Sequence, residues 1–239
     1  EQEKDSFAQY AQGTLNLGVV SDSLSGLSLT VGARHTKDKA SGSAFIKQVV
    51  SGTYTLADSS SEAEVDSDAW TYTVGLDYKY EDVMVYGKVS RGYKTGGIST
   101  IAVNPDRYVF DPEYVFNYEL GQKADFAIGQ LPVRLNSAVY YTDYTDMQVG
   151  APDGYVDPDN PSFIPQLGQA TFNVGEAWVA GFELDLMMPL TERLIFIGTY
   201  GYTDAEYEDF HYRYSGATPQ RDCSGNDIAS GGELELSCV

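Results

Sequence analysis

The side chains able to make or break bonds are few and scattered. His35 and His211 lie far apart and match no metal-ligand spacing. Cys223 and Cys238 are separated by fourteen residues in one polar terminal stretch, with no second pair. A zinc site is therefore not expected there. A disulfide closing a small loop is, worth on the order of 3 kcal/mol to that loop's order and fitting an oxidising compartment. Serine and aspartate are plentiful, yet nothing has the spacing of a nucleophile elbow or a catalytic triad. Gly-Tyr-Lys-Thr-Gly-Gly at 92–97 lacks the Gly-Lys-Ser/Thr ending and the strand-turn-helix setting of a phosphate loop. The acidic run DGYVDPDN at 153–160 offers oxygen ligands to a hard cation but does not follow the EF-hand pattern. No enzyme, no cofactor and no metal centre is expected.

What remains is non-covalent recognition. Arg91, Tyr93 and Lys94 close an alternating segment just before a glycine pair, and Tyr93 and Lys94 are candidates for ligand contact at a mouth. In YYTDYTD, Tyr140, Thr142, Tyr144 and Asp146 share one parity and are candidates for a ligand-lining row. Plain rim and lining roles are the competing account of both groups. The net charge of −20 argues against nucleic acid, whose phosphates would be repelled. Asp58, Glu62, Glu64, Asp66 and Asp68 concentrate in one stretch without Lys or Arg, which reads as a solvated loop.

These residues must be positioned by strands. Alternation with period two dominates, over roughly 6–18, 27–37, 69–80, 83–94, 114–127, 133–147, 171–188 and 194–207. Most segments exceed the five or six residues usual in soluble sheets and meet the nine to eleven needed for a tilted strand to cross a bilayer. There is no apolar run of the length a membrane-spanning helix needs, and EQEKDSFAQY does not read as a signal peptide. Turns at 80–82, 128–132 and 189–193 are tight and 19–26 is somewhat longer, whereas 38–68, 95–113, 148–170 and 208 onward read as long polar loops. Short connections on one side and long on the other are the habit of outer-membrane barrels.

Parity points the same way. Trp70, Tyr72, Val74, Leu76, Tyr78 and Tyr80 fall on one face, opposite Thr71, Thr73, Gly75, Asp77 and Lys79. Phe116, Tyr118, Leu120, Ala124 and Phe126 oppose Asn117, Glu119, Lys123 and Asp125, and Trp178 to Leu186 repeats the pattern against Glu183 and Asp185. With 19 Tyr, 10 Phe and 24 Gly, the chain is stocked for aromatic girdles between an apolar and a wet phase. Arg91 falls on the apolar parity, but at the outer end of its strand, where a cation costs only about 0–1 kcal/mol. A soluble sheet burying one face would alternate too, so a secreted glycan-binding sandwich stays open on parity alone.

The ordered set SRGYKTGGI, FDPEYVFNYELGQKADF and LPVRLNSAVYYTDYTDMQV resembles the barrel of TonB-dependent outer-membrane receptors. LSLTVGARHTKD upstream and AGFELDLMMPLTERLIFIGTYGYTDAEYEDF downstream are similar to successive hairpins of that family. The resemblance implies an all-β, antiparallel transmembrane β-barrel of about 22 strands closed by a plug. It implies residence in the outer membrane of a Gram-negative bacterium, among lipid and lipopolysaccharide. It also implies active uptake of a scarce nutrient, with an iron–siderophore complex as the expected cargo and the TonB–ExbB–ExbD complex supplying energy through the plug. About eight strands and no plug are recognisable, so residues 1–239 read as an internal part of such a barrel. The alternative is an autonomous eight-stranded barrel serving as anchor or adhesin, in which the first and last strands would pair.

Overall fold

The computed structural model describes the backbone of residues 2–50, 53–100, 102, 104–155, 166–173 and 175–209, with four short strand pieces beyond. Side chains are described for 2–43, 62–100, 102, 104, 106–153, 168–173 and 175–208. Eight long strands make one antiparallel meander: β1 Gln2–Asn16, β2 Leu27–Val50, β3 Thr53–Tyr80, β4 Val83–Lys94, β5 Glu113–Ile128, β6 Leu131–Thr145, β7 Glu176–Thr191 and β8 Leu194–Asp209. Each pairs with its sequence neighbours, and β1 and β8 do not pair with each other.

Short turns join one end of the strands. Glu81 at φ 54° and Gly129 at φ 66° take the left-handed conformation that two-residue hairpin loops favour. Gly26, at φ 88°, is also pressed against its neighbour: a Cβ there would meet the Lys79 carbonyl at 2.4 Å, so only glycine fits.

Register fixes which residues share a face. Tyr72, Val74, Leu76, Tyr78 and Tyr80 lie in rows with Ala33, Val31, Leu29 and Leu27 of β2 and with Arg91, Val89, Gly87, Val85 and Val83 of β4. The rows continue through Phe116, Tyr118 and Leu120 of β5 to Tyr141 and Val139 of β6 and to Ala180 and Phe182 of β7. Among the described residues no second layer covers this side: Trp70 is 57% exposed and Leu76 47%. From Trp70 to Tyr80 there are ten residue steps of about 3.3 Å. At a tilt of about 40° they span about 25 Å, the height of the apolar band of an outer-membrane barrel. The architecture is that of a transmembrane antiparallel wall, as the alternation predicts.

The stretch 38–68 is not the loop that its charge suggests. β2 and β3 run through it as one long hairpin, with 51–52 outside the described residues and a register shift between Phe45 and Lys47. Its outer side carries a charge ladder above the apolar band: His35 stacks on Trp70 at 4.6 Å, His35 Nε2 lies 2.7 Å from Asp68, Lys37 lies 3.5 Å from Asp68, and Lys39 pairs with Glu64. The His35 contact, aided by Lys37, holds the Asp68 carboxyl below the ordinary carboxylate value, and Glu64 holds the Lys39 ammonium above the ordinary lysine value. The other side of the hairpin is small and buried, with Thr36, Ala40, Val65, Ser67 and Ala69 all covered.

Two loop bodies provide that cover. Residues 95–112 form a small hairpin, Gly97–Ile98 against Val109–Phe110. Residues 146–175 form a longer one, Gln148–Tyr155 against Gln166–Asn173. The seventh predicted strand, 171–188, is therefore two elements, parted at Gly175 with φ 80°. Ile98 packs with Ala40 and Val65, while Ala102, Tyr108 and Ala170 form a second cluster with Phe172, and Ala63 touches both. Both loops thus fold over the polar side of the wall.

Candidate functional site at the mouth and polar wall

On the polar face of β4 to β8, side chains are tied strand to strand. Tyr86 lies across Gly121, where a Cβ would come within 2.6 Å of its ring and hydroxyl. Its hydroxyl donates to Glu119 at 2.8 Å, and the same carboxylate takes Lys88 at 2.8 Å. Tyr140 lies in the same way over Gly181, 2.4 Å from a Cβ placed there, and its hydroxyl meets that of Thr203 at 2.9 Å. Thr142 donates to Asn117 at 2.8 Å. At the turn end Arg134 makes a two-point contact with Asp125, at 2.7 and 3.1 Å. The predicted row is thus present for Tyr140, Thr142 and Tyr144, which occupy alternate positions of β6 on the polar face. Asp146 departs from it. The strand ends at Thr145, Asp146 sits exposed at φ 55°, and its carbonyl accepts from Asn173 at 2.9 Å.

At the mouth the three residues that close β4 go separate ways. Arg91 stays on the apolar side, its guanidinium 4.3 Å from the centre of Tyr114 and 5.5 Å from Phe116, with a bond to the Trp70 carbonyl at 3.0 Å. Tyr93 lies past the last β3–β4 pair, Tyr72 with Arg91, and its hydroxyl donates to Asp38 on the polar face of β2. Lys94 is exposed and stands 3.9 Å from Glu113.

The loops add contacts that no local pattern announces. Asp153 is 0% exposed, accepting from the Asn104 amide at 2.9 Å and pairing with Arg107 at 2.8 Å. Arg107 in turn lies 4.9 Å from the ring centre of Phe172. Gln148 donates to the carbonyls of Thr95 and Asp111, both at 3.0 Å, and Asn173 donates to Asp111 at 2.8 Å. The two loops are latched to each other and to the wall. Asp153 was the first oxygen of the acidic run considered for a cation; it is engaged by protein instead, and the run from 156 lies outside the described residues. So do Cys223 and Cys238. Among the described residues, no three His, Cys, Asp or Glu side chains gather as metal ligands.

This geometry has known counterparts. The chain is 32% identical over 139 residues to the metal-pseudopaline receptor CntO of Pseudomonas aeruginosa, covering 58% of this chain and 17% of that protein. It is 28% identical over 151 residues to the probable TonB-dependent siderophore receptor PiuA of Acinetobacter baumannii, covering 60% of this chain and 18% of that one. The chain therefore spans less than a fifth of the length of these relatives. Among solved structures, the ferric yersiniabactin uptake receptor FyuA of Yersinia pestis superposes with a TM-score of 0.65 at 21% identity, covering 87% of this chain and 28% of that one. The family described as TonB dependent receptor-like, beta-barrel matches residues 1–230. With an open antiparallel wall, one apolar and one polar face, and long loops latched over the polar side, the chain belongs to the TonB-dependent receptor β-barrel family.

Proposed function

We propose that this chain is a wall-and-mouth section of an outer-membrane receptor that takes up a scarce nutrient actively, with an iron–siderophore complex as its cargo. The observation that carries the reading is the two-solvent wall whose external loops fold over the polar side rather than away from it. A lumen lined by Tyr140, Thr142, Tyr144, Glu119 and Lys88, and narrowed from above by the two latched loops, suits capture of a polar chelate. The names of the relatives support the cargo class, since they include a metal-pseudopaline receptor and a siderophore receptor. In this reading the plug and the remaining strands lie outside these residues. The TonB–ExbB–ExbD complex acts on the plug, and the apolar face meets outer-membrane lipid and lipopolysaccharide. Tyr93 and Lys94 belong to the mouth, as does Asp146. A small closed barrel is disfavoured because β1 and β8 each pair with a single neighbour in the eight-stranded sheet.

The test is uptake by the full-length protein. A strain deleted for it is supplied with ferric chelates of the tricarboxylate, triscatecholate and trihydroxamate classes under iron limitation. Loss of growth on at least one chelate, restored by the intact gene but not in cells lacking TonB, is expected. Unchanged growth on every chelate would overturn the assignment of cargo.

A further inference from the structure

The polar face of β1 to β3 differs from the rest of the wall in its charge. Its rows, read across the three strands, are Ala8–Thr36–Ala69, Tyr10–Arg34–Thr71, Gln12–Gly32–Thr73 and Thr14–Thr30–Gly75. They contain hydroxyls, an amide and one cation, and no carboxylate, in a chain whose net charge is −20. Acids bound the patch only at its ends, Asp38 above, already occupied by Tyr93, and Asp77 below. Three other cations of the polar face are neutralised, Lys88 by Glu119, Lys94 by Glu113 and Arg134 by Asp125, and Lys123 lies over the Tyr86 ring. Arg34 is not in an ion pair among the described residues. Its Nε is fixed by Thr36 Oγ1 at 3.0 Å, and the residue is exposed beside Tyr10, itself 79% exposed, with the Tyr93 hydroxyl within reach of its charge. Gly32 keeps the neighbouring row low, where Gln12 and Thr73 meet over the space a Cβ would fill, both at 3.2 Å.

A pre-oriented guanidinium without a carboxylate partner, set among neutral donors, is built to take an ionised oxygen. We infer that Arg34, with the hydroxyls of Tyr10 and Thr71 in its row, is the anion-accepting contact of the mouth, and that the cargo is a chelate with net negative charge and ionised oxygens at its surface. This rests on the uptake reading and narrows it. In an otherwise acidic protein, this patch offers such a cargo a cation and neutral donors with no carboxylate among them.

Binding to purified full-length receptor would be measured by quenching of intrinsic fluorescence, using iron(III) citrate, an anionic iron(III) triscatecholate and an uncharged iron(III) trihydroxamate. The intact receptor is expected to bind an anionic chelate, more weakly as salt rises, and not the uncharged one. Arg34→Gln should lower that affinity about ten- to a hundredfold, and Arg34→Lys should lie between, because it keeps the charge and loses the fork. Heat-modifiable mobility on gels confirms that each variant is folded. Undiminished anionic binding by folded Arg34→Gln, or preference of the intact receptor for the uncharged chelate, would overturn the inference while leaving the uptake reading in place. Binding of no chelate at all would overturn both.

Discussion

Leu76→Arg and Thr73→Arg place the same cation on opposite faces of β3, about 8 Å apart in depth and both within the middle half of the band. Leu76 is four steps from Tyr80 and six from Trp70 along the apolar row. With about 3.3 Å per step and a tilt of about 40°, it lies about 10 Å from one edge of the band and about 15 Å from the other. Near the midplane an arginine facing lipid costs about 2–4 kcal/mol, and no acid stands in the rows beside it to offset that, since Leu29 and Gly87 are its partners. Thr73 faces the polar side, between Gly32 and Ser90, where an arginine keeps its water and costs well under 1 kcal/mol. The assay is denaturant unfolding of the full-length receptor refolded into phospholipid vesicles, comparing midpoints at constant slope. A loss of about 2–4 kcal/mol for Leu76→Arg, and little change for Thr73→Arg, is expected. Equal losses, or a greater loss for Thr73→Arg, would refute the two-solvent account of the wall.

Gly121→Ala should displace the Tyr86 ring and break its bond to Glu119, at a cost of about 1–3 kcal/mol. In a Tyr86→Ala background the same change should cost much less, and a double-mutant cycle reads the difference. Arg107→Ala removes the guanidinium paired with fully buried Asp153. A loss of about 3–5 kcal/mol confined to the loops is expected, visible as faster hydrogen exchange at 97–110 and 148–153 with the wall strands unchanged. Asp68 has its carboxyl depressed chiefly by the bond to His35, so its contribution to the outer hairpin is present above the ordinary carboxylate value of 3.8 and is lost as pH falls below it. Protection factors near residues 35–39, which correct for the intrinsic pH dependence of exchange, should therefore hold steady from neutral to mildly acidic pH and fall only in strong acid. An earlier fall would show that the ladder is held by something else.

The wall was legible because each of its residues answers to a single neighbour phase. The Trp70–Tyr80 alternation needs no distant partner to be understood, and three of the four short turns carry a left-handed residue at the bend, Gly26, Glu81 or Gly129. The outer hairpin was not legible. Its residues look solvated because the groups that cover Ala40, Val65 and Ser67 come from residues 96–98, far along the chain. The break at Gly175 was hidden for a related reason, since Thr171 to Asn173 alternate like a strand but pair with 148–150 rather than with the wall. In the candidate site, Tyr140, Thr142 and Tyr144 follow from parity alone. Asp153 does not: a carboxylate in an acidic run reads as solvated until Arg107 is brought to it by the fold.

The two lateral margins of the sheet also bear on assembly. Until further strands pair with them, β1 and β8 would each carry one flank of unpaired amide and carbonyl groups, being the margins of the described sheet. Hydrocarbon cannot satisfy those groups, and each one left bare there costs several kcal/mol. A growing wall of this kind cannot wait in the bilayer for its last staves. Biogenesis must either deliver every stave before insertion or keep both raw margins zipped to an assembly partner until the circumference shuts.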